Sequence, residues 1–165
     1  MKTQIISATK IINAPAEKIY RIIADYQSNH PRILPKAYFI SLEVEGGGYG
    51  EGTIIRYQMR ILGRVVAFRA LITEPDPGCT LVETDLASHT STSFTVWSLG
   101  NRDHARVTIM TVLPKRGLIG GFLAKLFLTH VYRQELELLA KFATRSTESV
   151  QATPTDHHVH TATSK

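Results

Sequence analysis

From Gly117 to about Thr147 the chain contains no proline and is dense in good helix formers, which predicts one long helix near its end. At about 1.5 Å of rise per residue, roughly 26 helical residues extend about 40 Å, enough to cross a whole sheet in a domain of this size. A helix that long needs a curved surface to lie in, and this requirement constrains everything that precedes it.

Two apolar stripes run along this helix. Ile119, Phe122, Leu123, Leu126 and Phe127 share one face, while Tyr132, Leu136, Leu139 and Ala143 share another. At 100° per residue the stripes point roughly 160° apart. Either the helix bends near Thr129 and His130, where Thr129 can bond its own backbone, or its front half offers apolar surface to something besides the sheet.

The curved surface is legible upstream. Residues 4–12 read as a first strand, and Asn13-Ala14-Pro15 then starts a short helix whose buried stripe is Ile19, Ile22, Ile23 and Tyr26. A second helical turn ends before Pro35, which forces the chain to extend. From residue 36 to 113 the period becomes alternating. Thr53, Ile55, Tyr57, Met59 and Ile61 face inward on one strand, and Leu62-Gly63-Arg64 turns into the next, where Val66, Phe68, Ala70 and Ile72 do the same. Thr92, Phe94 and Val96, then Val107, Ile109 and Thr111, are the inward sets of the last two strands. The strand from Thr80 to Leu86 has two readings, with Leu81, Glu83 and Asp85 inward or Val82, Thr84 and Leu86 inward. Burying two unpaired acids is expensive, which favours the second.

Strand, two short helices, six strands on tight turns and one long helix make an α+β domain: an antiparallel sheet whose apolar face only the last helix can cover. A strongly curved sheet around a helix leaves a space, and that space is the natural ligand site. The 165 residues suit one domain over residues 1–147, with a polar tail over 148–165 expected to be disordered. No run approaches 18 apolar residues, and the first residues lead straight into a strand pattern, so the expectation is a cytoplasmic protein. Cys79 is the sole cysteine, which excludes an internal disulfide and a cysteine metal cluster. The net charge of +5 is partly concentrated at Lys115, Arg116, Lys125 and Arg133. No aromatic interleaving or nucleic-acid motif accompanies these charges, so a solvated face is favoured and nucleic acid is not an expected partner.

Several short pieces recur in a fixed order: Ile12-Asn13-Ala14-Pro15 leading to Tyr20-Arg21-Ile22-Ile23-Ala24-Asp25-Tyr26, then His30-Pro31 and Leu34-Pro35. Gly50-Glu51-Gly52-Thr53, Glu74-Pro75-Asp76-Pro77-Gly78, and Glu135-Leu136 with Leu139 follow. Across roughly residues 3 to 145 this order resembles the START-like and Bet v 1-like superfamily, and within it the polyketide cyclase/dehydrase and lipid-transport group, the SRPBCC proteins. The resemblance implies a helix-grip fold, in which a seven-stranded curved sheet wraps the C-terminal helix. It also implies a cavity for a lipid, polyketide, sterol or aromatic small molecule. No shared catalytic residue is implied, because such proteins use one cavity for carriage, sensing, cyclisation or hydrolysis, and the matched residues are mostly turns and helix starts.

The candidate ligand-binding residues are Tyr26, His30, Tyr57, Met59, Phe68, Thr92, Phe94 and Phe127. Binding for carriage or sensing is the first reading. The alternative is a cyclase or dehydratase drawing on Glu83, Asp85 or His30, although a histidine before a proline is more often a surface or capping group. A third reading docks a membrane, a ribosome or a protein partner on the front half of the last helix. No cofactor is expected. His157, His158 and His160 have no scaffold to fix their geometry, so no metal site is expected either. No Gly-x-Ser-x-Gly is present, and Gly46-Gly47-Gly48 lacks the Lys-Ser/Thr of a phosphate loop.

Overall fold

Alternating burial along the strands and a 3.6-residue period in the helices are what the chain converts into layers. The structure, a computed structural model, describes residues 3–100, 103–114 and 118–151, with side chains except those of 118–119 and 146–151. Strand β1 (Thr3–Ile12) leads into helix α1 (Ala16–Ala24) and the single turn α2 (His30–Ile33). Six strands follow: β2 (Phe39–Gly46), β3 (Ile54–Ile61), β4 (Arg64–Asp76), β5 (Thr80–Asp85), β6 (Ser91–Leu99) and β7 (His104–Pro114). Helix α3 (Leu118–Gln151) completes the described fold.

The strands form one sheet in the order β1-β7-β6-β5-β4-β3-β2, and every neighbouring pair is antiparallel. β1 and β2 lie at opposite edges, so α1 and α2 carry the chain from one side of the sheet to the other. Register shifts in the β2–β3 and β4–β5 pairs mark irregularities of the kind that bend strands and sharpen their twist. The β3–β4 hairpin turns on Leu62 and Gly63, both at positive φ (48° and 82°), as a tight two-residue connection with the native strand twist requires.

Ile6 and Ile12 of β1, Ile72 of β4, Leu81 of β5 and Ile109 of β7 are fully buried, as are Ile19 and Ile23 of α1. Leu136, Leu139 and Ala143 of α3 close on them, so the rear stripe of the long helix is the part gripped by the sheet. This is the seven-stranded helix-grip architecture that the sequence pattern and the resemblance imply.

Three expectations change. First, α3 passes through Thr129 and His130 as one uninterrupted helix, and its front half leaves Phe122, Leu123 and Leu126 exposed. The front stripe therefore stays largely uncovered, while the stripe of Tyr132, Leu136, Leu139 and Ala143 is buried. Second, the helical backbone extends to Gln151, past the expected limit at 147, because nothing in Glu148-Ser149-Val150-Gln151 breaks a helix and the next proline is Pro154. The histidines at 157, 158 and 160, and Lys115 and Arg116, lie outside the described residues. Third, β5 turns Leu81, Glu83 and Asp85 inward, the reverse of the favoured reading. Among the described residues no helix is long and apolar enough to cross a membrane.

A candidate ligand cavity with an acidic inner end

Between the concave face of the sheet and the front half of α3 lies a cavity of about 580 Å³. Its walls follow from the strand period. Tyr57 and Met59 from β3, Phe68 from β4 and Thr92 and Phe94 from β6 all project to the same side, and Phe127, Leu128 and Tyr132 meet them from the helix. Tyr57 stacks on Phe68 at 5.1 Å, an inter-strand pair in direct register. The space persists because α3 presents Gly120, Gly121 and Ala124 where larger side chains would fill it. Gln4 Nε2 donates to the Gly121 carbonyl at 2.9 Å, tying this turn of the helix to β1. Leu62, Val66 and Leu123 border the cavity and are also exposed, so they form its rim.

The inner end is polar. Glu83 Oε1 accepts a 2.6 Å hydrogen bond from the Tyr26 hydroxyl and lies 3.6 Å from His30 Nε2. His30 Nδ1 donates to the Ile23 carbonyl at 2.7 Å, which leaves Nε2 as the lone-pair nitrogen of a neutral ring. The ring is sandwiched by stacking on Tyr26 at 4.3 Å and an edge contact with Phe94 at 5.7 Å. Burial holds the His30 pKa down to about 4, against smaller opposing effects of the Ile23 bond and Asp25. Burial raises Glu83 to about 7, partly offset by the Tyr26 bond. The His30–Glu83 approach is therefore a contact between groups that are not both charged, rather than an ion pair.

A second carboxyl, Glu135 of α3, borders the same space and is 2% exposed. Its Oε1 has no hydrogen-bond partner among the described residues. Burial first, and the nearby Glu83 second, push its pKa well above the carboxylate range. Tyr132 Oη bonds Thr111 Oγ1, which in turn bonds Thr92 Oγ1 at 2.7 Å, so three hydroxyls form a chain along the cavity wall. Burial raises Tyr132 to about 12 and Tyr57 well above its ordinary value, which keeps both as phenols.

Seven of the eight residues read from the sequence as ligand-binding border the cavity: His30, Tyr57, Met59, Phe68, Thr92, Phe94 and Phe127. Tyr26 does not. It stands behind His30 and holds Glu83. His30 itself is 1% exposed, so it is not a surface group, and its bond to the Ile23 carbonyl caps the last turn of α1. Of the acid pair, only Glu83 reaches the cavity. Asp85 closes the β5–β6 connection, accepting from the Ser88 N–H and hydroxyl at 2.7 Å each and from the Arg69 N–H at 3.2 Å. Burial would raise Asp85, but these bonds outweigh it and hold its pKa below the usual range. Burial of both acids is tolerated because neither is unpaired. Glu135, Tyr132 and Thr111 went unnoticed as site residues. Helical phase could have found Glu135, which falls inside the arc bounded by Val131 and Leu136.

The family described as polyketide cyclase / dehydrase and lipid transport matches residues 3–144. Among solved structures, the KanY protein determined by NMR superposes with a TM-score of 0.76 and 27% identity, covering 87% of this chain and 99% of that one. A START superfamily protein from Mycobacterium smegmatis follows at 0.67 and 17%, covering 86% and 98%. The Zhui aromatase/cyclase from Streptomyces sp. R1128 gives 0.69 and 14%, covering 92% and 100%. No curated protein sequence is similar enough to count as a match. The last two solved structures share the fold; at such identities nothing more passes to this chain.

Proposed function

Because the chain belongs to the polyketide cyclase/dehydrase and lipid-transport family, we propose that it binds a hydrophobic small molecule, a lipid, polyketide or aromatic compound, between the sheet and α3 for carriage or sensing. The observation that carries this reading is the cavity itself. A volume of about 580 Å³ walled by aromatic and aliphatic side chains, with a few polar groups gathered at one end, is what a small-molecule site requires. The apolar walls supply affinity through burial, and the polar end orients the guest.

A neutral naphthalene fluorophore such as prodan tests it. Saturable binding at one probe per chain is expected, and Ala124→Trp, which places an indole in the cavity, abolishes it while the circular dichroism spectrum is retained. A wild-type protein that takes up no probe overturns the reading.

One observation favours a second reading, a cyclase or dehydratase using the same cavity. Glu83 combines a pKa of about 7 with a position on the cavity wall, the condition for a carboxyl to exchange protons with a bound substrate. In that reading Glu83 removes a proton from a carbon flanked by carbonyls, and the Tyr57 phenol steadies the resulting enolate. Loss of turnover of a β-polyketone in Glu83→Gln, with prodan binding retained, supports it. Equal turnover in the variant rejects it.

A further inference from the structure

We infer that the guest enters with a cationic amine at its inner end: the cavity ends on the carboxyls of Glu83 and Glu135, and no lysine or arginine is among its described lining residues. This rests on the binding reading above and specifies the chemistry of its ligand.

The titratable groups at or just behind this end come from four elements and the α1–α2 connection. Tyr26 follows α1, His30 opens α2, Tyr57 lies on β3, Glu83 and Asp85 lie on β5, and Tyr132 and Glu135 lie on α3. Asp25 acts on His30 from beyond the cavity. Asp85 is committed to Ser88 and Arg69, and Tyr26 donates to Glu83. Once a guest's positive charge lets one of the two carboxyls ionise, the remaining capacity is mainly for accepting. His30 offers a lone pair at Nε2, Glu83 has its second oxygen, and Glu135 Oε1 is buried with no partner. A buried acceptor without a donor is costly, and two carboxyls in one apolar enclosure cannot both ionise without a counter-charge. An ammonium supplies the charge and three N–H donors together. A fatty-acid carboxylate would add a third acidic group where the lining offers no cation, so it is the least suited head group. A hydroxyl satisfies one acceptor but leaves the carboxyl pair without a counter-charge.

The amine makes binding pH-dependent. Glu83 titrates near 7, and an alkylammonium at about 10.4 stays charged throughout, so amine binding below pH 7 expels a proton from the carboxyl pair. One such proton corresponds to about a tenfold gain in affinity from pH 6 to pH 8.

Calorimetric titration of the full chain with 2-(1-naphthyl)ethylamine, 2-(1-naphthyl)ethanol and 1-naphthylacetate separates the possibilities. The inference expects the amine to bind at least tenfold tighter than the alcohol and the carboxylate to bind weakest. It further expects amine affinity to rise about tenfold from pH 6 to pH 8, with proton release measured in buffers of different ionisation heat. Glu135→Gln and Glu83→Gln, each checked for retained fold by circular dichroism, narrow the gap between amine and alcohol. Equal affinity for amine and alcohol, or tightest binding of the carboxylate, overturns the inference while leaving the binding reading intact. Failure of all three to bind, together with failure of prodan, overturns both.

Discussion

Glu83 and His30 face one another across 3.6 Å, yet they pull stability in opposite directions with pH. Glu83 is raised on folding, so the folded state holds a proton that the unfolded chain has released. Stability is present in full below about pH 4.5 and is lost as pH rises through about 7, by on the order of 3 kcal/mol. His30 is depressed, so its contribution is present above pH 6.5 and is lost, by a similar amount, as pH falls through about 4. Urea denaturation at pH 5 and pH 8 checks this: Glu83→Gln gains relative to wild type at pH 8, and His30→Gln gains at pH 5. Identical pH profiles for both variants contradict the assignment. A second residue effect concerns the motif Gly50-Glu51-Gly52. Gly50 and Gly52 both sit at positive φ (58° and 82°), but a Cβ on Gly50 would lie 2.6 Å from Glu74 Oε1, which is fixed by the Tyr20 hydroxyl, whereas one on Gly52 meets open space. Gly50→Ala is expected to cost about 1 kcal/mol or more beyond Gly52→Ala, since both carry the left-handed backbone strain and only the first carries the clash. Equal losses in chemical denaturation contradict this. The sequence marks these glycines as turn formers but cannot show Glu74 waiting opposite one of them.

At the level of elements, α3 is two different helices in one. Its rear half is core, with Leu136 and Leu139 each 1% exposed; its front half is cavity wall on one side and open surface on the other, with Leu126 at 55%. Leu136→Ala is therefore expected to cost 2–5 kcal/mol, and Leu126→Ala within about 0.5 kcal/mol, by thermal or urea denaturation. Similar costs at both positions contradict the division. Two stripes about 160° apart are visible in the sequence, but whether they reflect a bend or an uncovered face depends on how far the sheet reaches, which no local pattern encodes. β5 makes the same point more sharply. Periodicity gives two phases of three residues each, and the cost of burying acids selects the wrong one, because the partners that permit burial come from Tyr26, Ser88 and the Arg69 backbone, distant or across a turn. β3 was legible because apolar residues alternate with Arg56, Gln58 and Arg60, and β4 followed from the tight turn that joins it to β3; β5 was not, because its acids alternate with Val82 and Thr84.

In the molecule as a whole, seven antiparallel strands curve around a helix that grips tightly at one end and stands off at the other. The small residues Gly120, Gly121 and Ala124 at the standing-off end account for the space, and the inward aromatics of β3, β4 and β6 line it. Element order, helix count and the aromatic wall follow from period and turn chemistry. The acidic inner end does not, because its residues lie far apart in the chain, and only the packing of α3 on the sheet brings Glu83 to Glu135. The hollow is the central claim, and amide chemical-shift mapping with 2-(1-naphthyl)ethanol tests it most directly. The account predicts saturable shifts concentrated around Tyr57, Phe68, Phe94, Phe127 and Tyr132. Shifts confined to Phe122 and Leu126 on the outer face of α3, or no saturable shifts at all, would contradict it.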